Sequence, residues 1–259
     1  MMILPGQSEP ASEKFEAAVE SMQKVLGRKI VFLPLEGQHS HLLRSNIGGF
    51  HDKSGGTERV WLDPNLPSNA EEATAAHELG HIMQSTEVYP RVSTTVPALE
   101  HLASRINDLV MDESADLWAI RHGFDMSEAF VNIGLNNLIN HINHLAVTVE
   151  PANWVGYFAF LNKLLLGAAD GTPIAMPAEM DTQVMTVDYA GLSLRLGRYG
   201  LFSDLDAVWA KHWPISRKMG KELISLLGEM KTLDECRIAL GKIIIFLKVP
   251  AQLITLPRS

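Results

Sequence analysis

The stretch Thr74-Ala75-Ala76-His77-Glu78-Leu79-Gly80-His81-Ile82-Met83 organises the rest of the chain. On a helix His77 and His81 leave the same face one turn apart, because side chains four residues apart are neighbours. That spacing lets both imidazoles grip one tetrahedral Zn²⁺. Glu78 stands beside them, placed to take a proton from a metal-bound water. No charge interrupts Ala75, Ala76, Leu79, Gly80, Ile82 or Met83, which predicts a helix buried in the interior. Three titratable side chains amid such a run are costly without a partner such as a metal. Pro67 ends the preceding segment, and Ser68-x-x-Glu71 reads as a capping box at the helix start.

His77-Glu78-x-x-His81 is the HExxH arrangement of zinc metalloproteases, with Glu78 as the catalytic carboxylate. Its flanks resemble the longer zincin pattern. Thr74 stands three residues before the first histidine, the residues between the ligands are uncharged, and apolar residues follow.

With 259 residues, the chain is long enough to bury a substantial core as one large domain or two small ones. A net charge of −8 without a long basic cluster argues against a nucleic-acid surface or an anionic membrane, which both need concentrated positive charge. The single cysteine, Cys236, rules out an intramolecular disulfide and any cysteine-held metal cluster. Met1-Met2-Ile3-Leu4-Pro5-Gly6 has neither a basic leader nor an apolar core, and Lys242, Lys248 and Pro250 break the most apolar run. A cytoplasmic protein without a membrane span is expected.

Working outward from the histidines towards the N-terminus, Glu58-Arg59-Val60-Trp61-Leu62-Asp63 reads as a strand closed by Pro64. Gly37 to Gly56 reads as loops around one short strand near Ile47 to Phe50, with His39, His41 and His51 as solvated loop histidines. Lys29 to Leu33 is a buried strand. Residues 11 to 26 carry Phe15, Ala18, Val19, Met22 and Val25 at helical spacing, stopped by Gly27. This order of a helix, a few strands and the HExxH helix resembles the core of small gluzincins. The resemblance implies that Glu58 to Asp63 lies at the sheet edge beside the cleft, where an extended peptide could add as a strand.

A catalytic zinc has three protein ligands and an open position for water, so two histidines demand a third ligand. Between Pro97 and Gly123 a helical pattern runs through Leu99, Leu102, Ile106, Leu109, Val110 and Leu117. It offers Glu100, Asp108, Asp112, Glu113 and Asp116, and composition does not choose among them. Asp112-Glu113-Ser114-Ala115-Asp116-Leu117-Trp118-Ala119 looks like the second motif of ImmA/IrrE-type metallopeptidases and of the CAAX prenyl protease family. That resemblance puts Asp112 at the ligand position and Asp116 where a second acid orients a ligating imidazole. The families use Glu where Asp112 stands, one methylene shorter, so the two helices must approach more closely. Glu113, about 100° further round the helix, is second choice and lies on the apolar stripe, which suggests burial. Asn107-Asp108-x-x-x-Asp112 mimics a thermolysin-like arrangement and makes Asp108 third. Glu100 matches another gluzincin spacing without its flanks.

From Met126 onward the chain is helical in tone. Helices are expected around Ala129 to Ile142, Trp154 to Leu166, Tyr189 to Leu196, Leu205 to Lys211, Ile215 to Met230 and Leu233 to Leu247. His141 and His144 read as polar-face histidines. Tyr157, Tyr189, Tyr199, His122 and His212 are open candidates for stabilising an oxyanion.

The expected fold is α+β and mostly helical. A zincin-like core over 1–125, built from a small sheet, the HExxH helix and a second ligand helix, precedes a helical region over 126–259 packed on it. The expected function is zinc-dependent hydrolysis of a peptide or protein substrate. The alternative is a non-catalytic regulatory or binding module that retains a zincin fold.

Overall fold

The computed structural model describes residues 1–36, 49–86, 89–132, 178–250 and 256. Among these the elements are α1 (Glu13–Leu26), β1 (Ile30–Pro34), β2 (Gly49–Ser54), β3 (Thr57–Leu62), α2 (Ser68–Thr86), α3 (Pro97–Arg121), α4 (Met126–Asn132), α5 (Ala178–Gly197), α6 (Ser203–His212), α7 (Pro214–Leu226) and α8 (Leu233–Phe246). The class is therefore α+β and mostly helical, with one three-stranded sheet. His39, His41, His141, His144, Tyr157 and the segment Trp154 to Leu166 lie outside the described residues. The described residues fall into two compact units, 1–36 with 49–86 and 115–132, and 89–114 with 178–250.

In the first unit, Phe15, Ala18, Val19 and Met22 form the buried face of α1, as their spacing predicts. Ser12 caps the helix through Phe15 N, and Gly27 ends it in the left-handed region at φ 60°. The sheet order is β1-β3-β2, with β1 parallel and β2 antiparallel to β3. Gly55 and Gly56, at φ +58° and +80°, supply the two left-handed positions of the tight turn that joins β2 to β3.

This order corrects the expected place of Glu58 to Asp63. β3 is the central strand, because β1 pairs along one side of it and the hairpin fills the other. Both its hydrogen-bonding edges are used, so no peptide can add to it. Its burial alternates strictly, with Glu58, Val60 and Leu62 inward. Glu58 is therefore a carboxylate on the core face, held by Arg28 Nη1 at 3.0 Å with His51 Nε2 4.0 Å away on β2. His51 thus belongs to a strand rather than a solvated loop.

α2 packs on β2, β3, α1 and α4. Ala70, Ala73, Ala75, Ala76, Leu79 and Ile82 are all buried, so this helix is interior, as its uncharged run predicts. At Gly49 a Cβ would lie 3.0 Å from Thr74 Cγ2 and 2.9 Å from Trp61 O, so the missing side chain lets β2 start close against α2. The expected capping box at Ser68 does not form. Glu71 N bonds to Pro67 O at 2.8 Å, placing Ser68 already inside the helix. The Glu71 carboxylate instead accepts from Gly6 N at 2.9 Å, and Glu72 accepts from Ser12 N at 2.6 Å and Ser12 Oγ at 2.8 Å. Both acids bind the N-terminal segment in place of their own helix end.

In the second unit α3 and α5 run parallel. Arg105 pairs with Asp188 at 2.5 Å, and seven residues on along both helices Asp112 pairs with Arg195 at 2.7 Å. Glu113 is bonded to Arg198 just past the end of α5. Between these rungs Leu109 packs on Gly191. Tyr189 and Trp209 are fully buried here, with Tyr189 Oη donating to Asp206 at 2.6 Å. α6 and α8 match the expected helices, and α7 ends earlier than expected because Leu227 turns extended. Among the described residues no helix is long and apolar enough to cross a membrane.

Candidate metal centre

His77, Glu78 and His81 lie on α2, where the buried alanines and Leu79 fix the helix and leave the two imidazoles half-buried on one face. The rings sit edge to face with centroids 4.6 Å apart, and their Nε2 atoms are 3.0 Å apart. Glu78 is buried at 7% exposure on the same turn.

Each ring is oriented through its other nitrogen. His77 Nδ1 lies 2.7 Å from Asp116 Oδ1, and Asp116 is completely buried. An ionised carboxylate only accepts, so the proton is on His77 Nδ1. His81 Nδ1 lies 3.0 Å from Gln84 Oε1, an amide oxygen that also only accepts. Each Nδ1 therefore faces an acceptor, and the two rings turn Nε2 towards each other. Two Nε2 atoms at 3.0 Å are held together by a proton or a metal cation between them. Two nitrogens on one tetrahedral zinc, each about 2.0–2.1 Å from it, would be roughly 3.3 Å apart, so the donor set fits that ion.

The helix that carries Asp116 is held close to α2 by two small residues. A Cβ at Gly80 would come 2.7 Å from Ala115 Cα and 2.9 Å from Ala115 Cβ, distances no side chain tolerates. Gly80 thus sets the interhelical distance at which Asp116 reaches His77. Gly123, at φ +83°, follows α3 and helps to turn the chain out of it.

The other acids of α3 have different surroundings. Asp112 is one turn before Asp116 and ion-pairs with Arg195. Glu113 is buried at 5% exposure, as its place on the apolar stripe predicts, against Arg198. Asp108 is paired with Arg105 at 3.2 Å, and burial pushes its carboxyl up to about 7 against the pull of that guanidinium. Glu100 is exposed on the first turn. The thermolysin-like reading of Asn107-Asp108 loses its support. Asn107 uses both ends of its amide on the backbone of Val92, at 2.8 and 2.9 Å, and the acid at His77 is Asp116.

Two of the open oxyanion candidates are engaged elsewhere. Tyr189 is buried in the second unit with its hydroxyl given to Asp206, and burial raises its pKa. His122 donates from Nδ1 to Trp118 O at 2.8 Å and stacks on the Trp118 ring. The sequence reading did not single out Gln84 or the contact made by Gly80. The signal for Gln84 was its place three residues after His81, on the same helix face.

Neither the curated proteins nor the solved structures provide a match to the chain. The family model Peptidase_M78, described as an IrrE N-terminal-like domain, matches residues 23–105, which include the sheet, His77, Glu78 and His81 and stop before Asp112 and Asp116. Over those residues, then, the chain is similar to the IrrE N-terminal-like domain, which supports an ImmA/IrrE-type, zincin metallopeptidase-like family.

Proposed function

We propose that the protein is a zinc-dependent peptidase of gluzincin type, acting on peptide or protein substrates, with 1–125 as catalytic core and 126–259 as a helical region. The observation that carries this reading is the pair of Nε2 atoms 3.0 Å apart, each on a ring whose Nδ1 faces an acceptor. His77 and His81 supply two ligands. Asp112 supplies the third, with Glu113 as second choice. Three things support Asp112. Asp116 bonds to His77, which is the role the ImmA/IrrE-like motif gives to the acid one turn later. Asp112 is four residues earlier on the same continuous helix. The Gly80–Ala115 contact is the kind of close helix approach that a side chain one methylene short of glutamate requires.

Bound zinc would polarise the scissile carbonyl and lower the pKa of a water towards neutrality. The chain's residues then do the rest. Glu78, buried on the same turn, takes the proton released by the attacking water and hands it to the leaving amine. Asp116 holds His77 in the Nδ1–H tautomer, so the ring keeps a fixed direction throughout.

Elemental analysis of purified protein should find zinc, and His77→Ala should lose it. Asp112→Asn should weaken zinc binding more than Glu113→Gln. Glu78→Gln should keep metal and fold while hydrolysis of a peptide library falls by about 10²–10⁴. A Glu78→Gln variant that cleaves as fast as wild type overturns the mechanism. Zinc bound by wild type without any turnover favours the regulatory module.

A further inference from the structure

Resting on the zinc reading above, we infer that Gln84 is the positioning residue of the second histidine ligand. Gln84 is buried at 6% exposure on α2, three residues after His81, and its Oε1 lies 3.0 Å from His81 Nδ1. At that spacing on a helix a side chain with two methylenes and a terminal acceptor reaches back to the imidazole, a description that Gln and Glu both meet. The amide oxygen takes the Nδ1 proton, fixes the tautomer and leaves the lone pair of Nε2 aimed at the point His77 Nε2 also faces.

The two ligands are therefore oriented by unlike partners. His77 is backed by a fully buried carboxylate and His81 by a neutral amide. The neutral partner fixes the ring without adding another negative charge beside Glu78 and Asp116, which are themselves buried. The imidazole opposite Asp116 becomes the more electron-rich ligand, and the one opposite Gln84 is held by geometry alone.

The experiment uses the full chain with zinc as the probe. Zinc affinity is measured by competition with a chromogenic chelator, and the state of the His81 ring by ¹⁵N chemical shifts of the histidines. Gln84→Met fills the same volume without an acceptor. It should keep the melting temperature of the metal-free protein and bind zinc about 10–100-fold more weakly, with mixed tautomers at His81. Gln84→Glu restores an acceptor and should recover zinc binding and the single Nδ1–H tautomer. A purely structural role for Gln84 would move the melting temperature and leave zinc affinity and tautomer alone. If wild type holds zinc and Gln84→Met binds it as tightly, the inference about Gln84 fails while the zinc reading stands. If wild type holds no zinc, the zinc reading fails and takes this inference with it. The wild-type spectrum tests the point without any variant, since zinc bound through His81 Nδ1 overturns it.

Discussion

Helix α3 carries its acids through two different environments. From Arg105 to Glu113 every rung is carboxylate against guanidinium, namely Arg105 with Asp188, Asp112 with Arg195 and Glu113 with Arg198. From Ala115 onward the helix presents a small residue to Gly80 and a buried acid to an imidazole. Arginine stays charged at any working pH, so the first stretch is locked electrostatically. The imidazole is a weaker partner in charge but a directional one, and Asp116 acts on it by fixing where its proton sits. The nature of the partner, rather than the spacing of the acids, separates the carboxylates held by a guanidinium, the proposed ligand Asp112 among them, from the one that orients an imidazole.

The largest effect should come from breaking the locked stretch. Arg198→Met leaves Glu113 buried without its guanidinium and should cost about 3–5 kcal/mol in denaturant unfolding. Adding Glu113→Leu to that variant should return most of the loss. If the single variant is as stable as wild type, the rung is ornamental and the contrast between the stretches weakens.

Next comes the contact at the imidazole end. Gly80→Ala should destabilise by about 1–3 kcal/mol through overpacking against Ala115 and should weaken zinc binding as Asp116 moves from His77. Gly191, on α5 opposite Leu109 of the locked stretch, makes the matching control. A Cβ there would meet Leu109 at an ordinary 3.6 Å. Gly191→Ala should be neutral or stabilising by up to about 1 kcal/mol, because the helix gains an alanine without a clash. Equal losses at both glycines would mean that the close approach at Gly80 is not special.

Asp116→Asn keeps the shape of the pair and removes its charge. Zinc affinity should fall about 10–100-fold, by chelator competition, while the unfolding midpoint of the metal-free protein moves little.

The smallest effect concerns Glu71. Burial raises its pKa above the ordinary 4.5, with a Gly6 hydrogen bond pulling the other way. A carboxyl with a raised folded pKa contributes stability that is fully present below its unfolded value. That contribution is lost as the pH rises through the folded value. Glu71→Gln should therefore flatten the fall in stability on going from about pH 4.5 towards neutrality, measured by thermal melts across pH. An unchanged slope would place the titrating group elsewhere.

The same local pattern gives two outcomes in this chain, which shows where sequence reading stops. Ser68-x-x-Glu71 and Thr232-x-x-Glu235 both spell a capping box. Thr232 and Glu235 form it at the start of α8, where the turn is exposed and Glu235 Oε2 accepts from Thr232 N and from the neighbouring Lys231 N together. Glu71 is buried beside the N-terminal segment, and Gly6 N takes its carboxylate. Likewise, the alternation in Glu58 to Leu62 reveals a strand, yet only its pairing with both β1 and β2 puts it in the centre of the sheet.

What the sequence determined by itself is local and periodic. It fixed the helix bearing His77, Glu78 and His81, the one-turn spacing that converges two imidazoles, the buried run around them, and the family resemblance that a match over 23–105 bears out. These follow from a few residues and the pitch of one helix. Which groups meet across elements was decided only by tertiary structure. It chose His77 as the imidazole that Asp116, expected from the resemblance to orient one, meets, and it set Gly80 against Ala115 and arginines from α5 and just beyond its end against Asp112 and Glu113. Such pairings depend on the distance and rotation between helices, and these are set by packing summed over many side chains.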